Sequence, residues 1–130
     1  MQSDDDTPDL LLLPSDFDWY LLIGDETALP AIAKGLKEIP ATYRIAILLE
    51  VDNPACRINF NTHAHPYIEW YYRNNTHAAH GLMHGLAKLY IPPGEGFVWA
   101  EGGHGLIESA KNVLLNHHGI DVSLATQLQI

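Results

Sequence analysis

Seven residues near the middle of the chain, Ile45-Ala46-Ile47-Leu48-Leu49-Glu50-Val51, do most to limit what it can fold into. A strand solvated on one face alternates apolar and polar residues, whereas a strand covered on both faces stays apolar from one residue to the next. The run therefore predicts a central strand of a sheet sandwiched between helices. It is far shorter than the ~20 residues of a membrane span, and no other apolar run is longer. With 130 residues in all, the chain has room for one ordinary domain. A domain of this size buries on the order of two-thirds of its unfolded surface, enough for a core without disulfide or metal staples.

The flanking segments fit the same architecture. Trp19-Tyr20-Leu21-Leu22-Ile23 is short, aromatic and partly β-branched, and it stops at Gly24, so it reads as a buried strand. From Thr27 the period becomes helical, with Leu29, Ile32, Ala33, Leu36 and Ile39 on one face. Thr27 is the expected cap, Pro30 falls in the first turn and Pro40 ends the helix. Beyond Asp52 an irregular excursion runs to Pro66, with a short strand expected at Arg57–Phe60, before a third strand at Ile68–Arg73. A helix capped within Asn74–Thr76 runs to about Leu89, although Gly81 and Gly85 each weaken it by about 1 kcal/mol relative to alanine. Gly96–Ala100 forms a fourth strand, and Leu106 to His117 a last helix closed by Gly119. Ser123–Ile130 is expected to add a fifth strand. Alternating strands and helices imply crossover connections and a mostly parallel sheet. The expectation is thus an α/β three-layer sandwich, Rossmann-like, with five parallel strands in the order 3-2-1-4-5. An acidic lead over residues 1–14 precedes one domain over 15–130.

Charge narrows the partners. Sixteen acids against seven bases give a formal charge of −9, and half of the acids precede Thr27. That charge repels a nucleic-acid backbone or an anionic membrane, and no basic patch offsets it. A single cysteine, Cys56, makes no internal disulfide, and the acidic N-terminus does not resemble a secretory signal. A soluble, cytoplasmic protein is expected. The leucines at positions 10 to 13, with Trp19 nearby, leave apolar surface that a homodimer would cover.

In an open parallel sheet, ligands bind at the carboxyl ends of the strands. Two strand-to-helix turns there carry glycine: Gly24-Asp25-Glu26-Thr27-Ala28, and Ala100-Glu101-Gly102-Gly103-His104-Gly105. Both can face one cleft, or their glycines can serve only to make sharp turns. Glu50, at the end of the second strand, stands where dinucleotide folds place an acid on ribose hydroxyls; the alternative is a carboxylate simply exposed at a strand end. A 2′-phosphate would need a base, and Arg73, directly after the third strand, is better placed than Arg57. His77, His80, His84 and Lys88 form a stripe opposite Leu82, Leu86 and Leu89. His80 and His84 have the i, i+4 spacing to chelate zinc or nickel, with His63 or His65 as a third ligand, but the cysteine or carboxylate partners usual in zinc sites are lacking. The reading adopted is a polar helix face with no metal site. No hydroxyl–imidazole–carboxylate set or G-x-S-x-G elbow supports nucleophilic catalysis.

The string from Trp19 through Gly24-Asp25-Glu26-Thr27-Ala28-Leu29-Pro30-Ala31-Ile32 resembles the signature of the siderophore-interacting proteins, flavin-dependent ferric-siderophore reductases of the ferredoxin-reductase superfamily. The resemblance continues through Glu50-Val51, Trp70-Tyr71-Tyr72-Arg73 and Pro92-Pro93-Gly94-Glu95-Gly96-Phe97-Val98-Trp99, and spans about residues 17 to 126. It matches only the C-terminal, NAD(P)H-binding half of that family. It implies NADPH or NADH as the cofactor, with Gly24, Asp25, Glu26, Thr27 and Ala28 along its phosphate and nicotinamide site and with Arg73 and Glu50 towards its ribose end. Family members hold FAD in an N-terminal barrel with an R-x-Y-[TS] motif. Nothing upstream of Leu10 supplies it, so no FAD is expected on this chain alone and a separate flavin-domain protein is the expected partner.

Two departures stand out. The family has W-x-A-G-E where this chain has Trp99-Ala100-Glu101-Gly102-Gly103, and it has G-Y-W near the C-terminus where this chain has Gln127-Leu128-Gln129. The function the resemblance implies is an NAD(P)H-binding domain linked to flavin-dependent ferric-siderophore reduction only if another chain supplies the flavin; the other reading is a non-catalytic interaction module that retains the fold. Together with the missing barrel, the departures argue for divergence from reduction. The alternative is a fragment or one half of a split enzyme.

Overall fold

The computed structural model describes residues 13–73 and 81–122. Four strands, β1 (Trp19–Gly24), β2 (Ile45–Val51), β3 (Tyr67–Tyr72) and β4 (Gly96–Glu101), form one sheet in the order β3-β2-β1-β4, and every neighbouring pair is parallel. Three helices, α1 (Leu29–Lys37), α2 (Leu82–Lys88) and α3 (His104–His118), cover it. The architecture is α/β, with four strands among the described residues rather than five. The segment expected to form the fifth, 123–130, lies outside them.

The apolar run that predicted β2 works as expected. Ile45, Ile47 and Leu49 enter one core with Tyr20, Leu22, Phe97 and Trp99, sealed by Ile32 and Leu36 of α1. Leu48 enters the other with Leu21, Ile23 and Val98, sealed by Leu86 of α2 and Ile107 and Leu114 of α3. Alternate residues of each inner strand thus serve opposite layers, which requires the strand to be apolar throughout. β3 is an edge strand, and its residues are half-buried or exposed.

Two local expectations are corrected. The cap before α1 is Asp25, not Thr27: the Asp25 carboxylate accepts from the Thr27 amide at 2.9 Å and from its hydroxyl at 2.7 Å, opening a single 3-10 turn over Glu26–Ala28. A threonine that donates its hydroxyl to an upstream carboxylate leaves the capping role to that carboxylate. Arg57–Phe60 forms no strand. Phe60 instead stacks on Trp70 with ring centroids 6.4 Å apart, and the excursion is pinned to α1 by the Thr62 hydroxyl, which donates to the Leu36 carbonyl at 2.6 Å. α2 is described only from Leu82, with Gly81 as its N-cap residue; the expected cap at Asn74–Thr76, with His77 and His80, lies outside the described residues.

α3 ends as expected. Gly119 adopts a left-handed φ of 69°, and the Ile120 amide turns back to the Leu114 carbonyl at 2.9 Å. Trp19 is buried and Leu13 is half-buried against the α1-side core; Leu10, Leu11 and Leu12, on which the expected homodimer also draws, lie outside the described residues. No helix among the described residues is long and apolar enough to cross a membrane.

Candidate functional site

The chain moves outward from β1 through β2 to β3 and then returns to place β4 on the far side of β1. Where strand order reverses in this way, the connections leave the sheet in opposite directions and open a crevice at the carboxyl ends. Here the reversal, and with it the candidate crevice, falls at the ends of β1 and β4, where Gly24 pairs with Glu101. Topology therefore brings the two glycine turns together.

One side chain ties them. Asp25 uses one carboxylate oxygen for the turn after β1 and the other to accept from the Gly103 amide, in the turn after β4, at 3.1 Å. The packing leaves no space for side chains at Gly24 or Gly102. A Cβ on Gly24 would lie 2.4 Å from the Ala28 Cβ and 2.9 Å from the Glu101 carbonyl oxygen, and one on Gly102 would lie 2.9 Å from an Asp25 carboxylate oxygen. These glycines are explained by the close approach of the two turns alone. Ala28 and Ala100 are buried beneath the crevice, while Glu101 and Gly102 are half-buried at its edge.

Arg73 and Glu50 close the β2–β3 side. The Arg73 guanidinium reaches three carboxylates from two segments: Glu26, in the turn after β1, through Nη2, and at the end of β2 Asp52 through Nε at 2.9 Å and Glu50 through Nη1 at 3.4 Å. With the closer contacts spent on Glu26 and Asp52, Glu50 receives the weakest share. Burial, followed by the charge of Asp25, holds the Glu50 carboxyl above its ordinary value.

Glu50 also lines a hollow of about 320 Å³ with Leu82, Met83, Gly105, Leu106 and Ser109. Its wall is the first turn of α3, whose N-cap residue, Gly103, supplies no side-chain hydrogen bond. The positive end of this fifteen-residue helix suits an anion. The hollow can take part of a dinucleotide, with a phosphate at the α3 end.

A larger hollow, about 640 Å³, was not foreseen. It lies at the amino ends of β1 and β2 and beneath the chain that follows α2, with Trp19, Arg44, Tyr67, Tyr71, Lys88 and Tyr90 in its wall. The Tyr71 ring lies directly against Gly85, and burial, then Glu69, pushes its hydroxyl up to about 12. The one sequence signal was Tyr67, Glu69 and Tyr71 alternating on one face of β3. Its position, away from the switch point, makes it the lesser candidate.

His84 is exposed, and no group of three or more His, Cys, Asp or Glu suited to a metal ion occurs among the described residues. Cys56 sits in the 3-10 turn over Pro54–Cys56, with its sulfur 3.9 Å from Asn53 Oδ1.

Residues 17–127 match the family described as Siderophore-interacting protein. The chain is 30% identical over 87 residues to the ferric vibriobactin reductase ViuB of Vibrio cholerae, which covers 67% of this chain and 31% of that protein. It is 26% identical over 123 residues to an uncharacterized protein of Mycobacterium tuberculosis, covering 85% of this chain and 43% of the other. Among solved structures, a siderophore utilization protein from T. fusca superposes with a TM-score of 0.72 at 27% identity, over 89% of this chain and 45% of that one. The siderophore-interacting protein SipS from Aeromonas hydrophila shares the fold, with a TM-score of 0.65 at 23% identity over 77% of this chain and 44% of its own. The chain spans less than half the length of each of these relatives.

Proposed function

Because the chain belongs to the siderophore-interacting protein family, we propose that it is a nicotinamide-nucleotide-binding domain that serves flavin-linked reduction of a ferric siderophore in the cytoplasm, with the flavin carried on another chain. The observation that carries this reading is the crevice at the β1/β4 switch point, where Asp25 joins the two glycine turns inside the stretch that matches the family.

The roles follow from position. The positive end of α3 receives a phosphate of the nucleotide, and the turn over Gly24–Ala28 shapes the floor on which it lies. Glu50, facing the hollow, accepts hydrogen bonds from ribose hydroxyls. The nicotinamide ring, when bound, supplies a hydride. The protein's part is to hold the nucleotide with its ring turned towards the open side of the crevice, where a flavin on a second protein can approach.

The test is reconstitution. Mixed with the isolated flavin domain of a family member, the chain should accelerate bleaching of the flavin by NADH or NADPH and the subsequent reduction of a ferric siderophore. A bleaching rate that is the same with and without the chain would contradict the proposal.

A further inference from the structure

We infer that Arg73 is committed to carboxylates rather than to a nucleotide phosphate, so that the site takes the dinucleotide with a free 2′-hydroxyl, NADH, in preference to NADPH. The inference rests on the nucleotide reading above and adds to it the identity of the cofactor.

Arg73 directly follows β3 and is the arginine that a 2′-phosphate at the ends of these strands would be expected to use. A phosphate is held best by a bidentate guanidinium with parallel N–H groups free to face it. Here the Nε, Nη1 and Nη2 positions are all engaged, by Asp52, Glu50 and Glu26. These carboxylates come from the end of β2, the residue just beyond it and the turn after β1, so the clamp spans the ribose side of the crevice. One guanidinium faces three carboxylates, and a 2′-phosphate arriving there meets net negative charge. A ribose with both hydroxyls free brings hydrogen-bond donors, which is what carboxylates accept.

The other nearby arginine does not fill the gap. Arg57 Nη1 lies 3.4 Å from the Tyr72 hydroxyl. Tyr72 alternates with Ile68 and Trp70, which pack on the α1 side of the sheet, whereas Glu50 alternates with Leu48 and lines the hollow on the α2–α3 side. The side chains of the clamp are between 30% and 58% exposed, so solvent and salt moderate the repulsion and the preference is one of degree.

Titrating the full chain separately with NADH and NADPH, at low and moderate salt, tests this. NADH should bind roughly tenfold more tightly, with the difference shrinking as salt rises. The double variant Glu26→Gln/Asp52→Asn, with its folding checked by circular dichroism, should narrow or reverse the preference by releasing Arg73. Arg73→Ala should show no loss confined to NADPH. Equal or tighter NADPH binding by the unaltered chain, or a selective loss of NADPH in Arg73→Ala, would overturn the inference and leave the nucleotide reading intact. Binding of neither nucleotide at millimolar concentration would overturn the nucleotide reading itself, and the cofactor preference with it.

Discussion

Gly24 shows how tightly the crevice is built. Its missing side chain lets the β1 turn close on Ala28 and on the Glu101 carbonyl, and the backbone oxygen cannot move without shifting β4. Gly24→Ala should therefore cost about 2 kcal/mol, as overpacking of a close contact does, read as a lower urea midpoint at unchanged slope. A midpoint equal to that of the unaltered chain would show that the turn has slack. Glu50 offers a test by pH. Its carboxyl is held above the ordinary value by burial and by Asp25, so the folded state binds its proton more readily than the unfolded state does. Stability then falls as pH rises from the unfolded value towards the raised folded one, and the penalty is complete above it. Glu50→Gln should stabilise the protein at neutral pH, and the gain should fade as pH drops through the raised folded value towards the ordinary carboxylate one. A gain that persists unchanged into acid would assign it to something other than ionisation. Among the residues of the crevice, Gly24, Glu50 and Arg73 were legible from their places at strand ends. The Arg73 clamp was not, because it joins the residue after β3 to the end of β2 and to Glu26 in the turn after β1, segments whose convergence only the fold creates.

At the scale of elements, legibility followed the strength of the periodic signal. β2 forms over Ile45–Val51 as its apolar run predicts, because a strand between two helical layers buries apolar side chains on both faces. The excursion after it carries no period, and there a single aromatic contact, Phe60 on Trp70, prevails over weak strand propensity. The capping side chain lies two residues before the expected Thr27, since threonine and aspartate are both good caps and only geometry decides between them. The role of Asp25 extends beyond its own helix to Gly103, 78 residues away, a contact that local spacing cannot reveal. Asp25→Ala removes the cap and the tie together and should cost about 1–2 kcal/mol. Asp25→Asn keeps one acceptor oxygen and should fall between the two. Equal losses in both variants, measured by thermal unfolding, would show that the second oxygen does the structural work alone.

At the scale of the molecule, the four parallel strands among the described residues, with helices on both faces, create a switch point, and the family match spans both strands that flank it. The region of the site could therefore be inferred before its geometry, since strand order follows from alternation and crossover rules. The larger hollow at the opposite end could not, because it depends on how the chain after α2 lies over the strands. These two places make the central claim directly testable. NADH titrated into isotope-labelled protein should move the backbone amide signals of Gly24–Ala28, Glu50 and residues 100–105 most, and leave Tyr67, Tyr71 and Lys88–Ile91 nearly still. Shifts concentrated at Tyr67, Tyr71 and Lys88–Ile91, or none at millimolar NADH, would contradict the account.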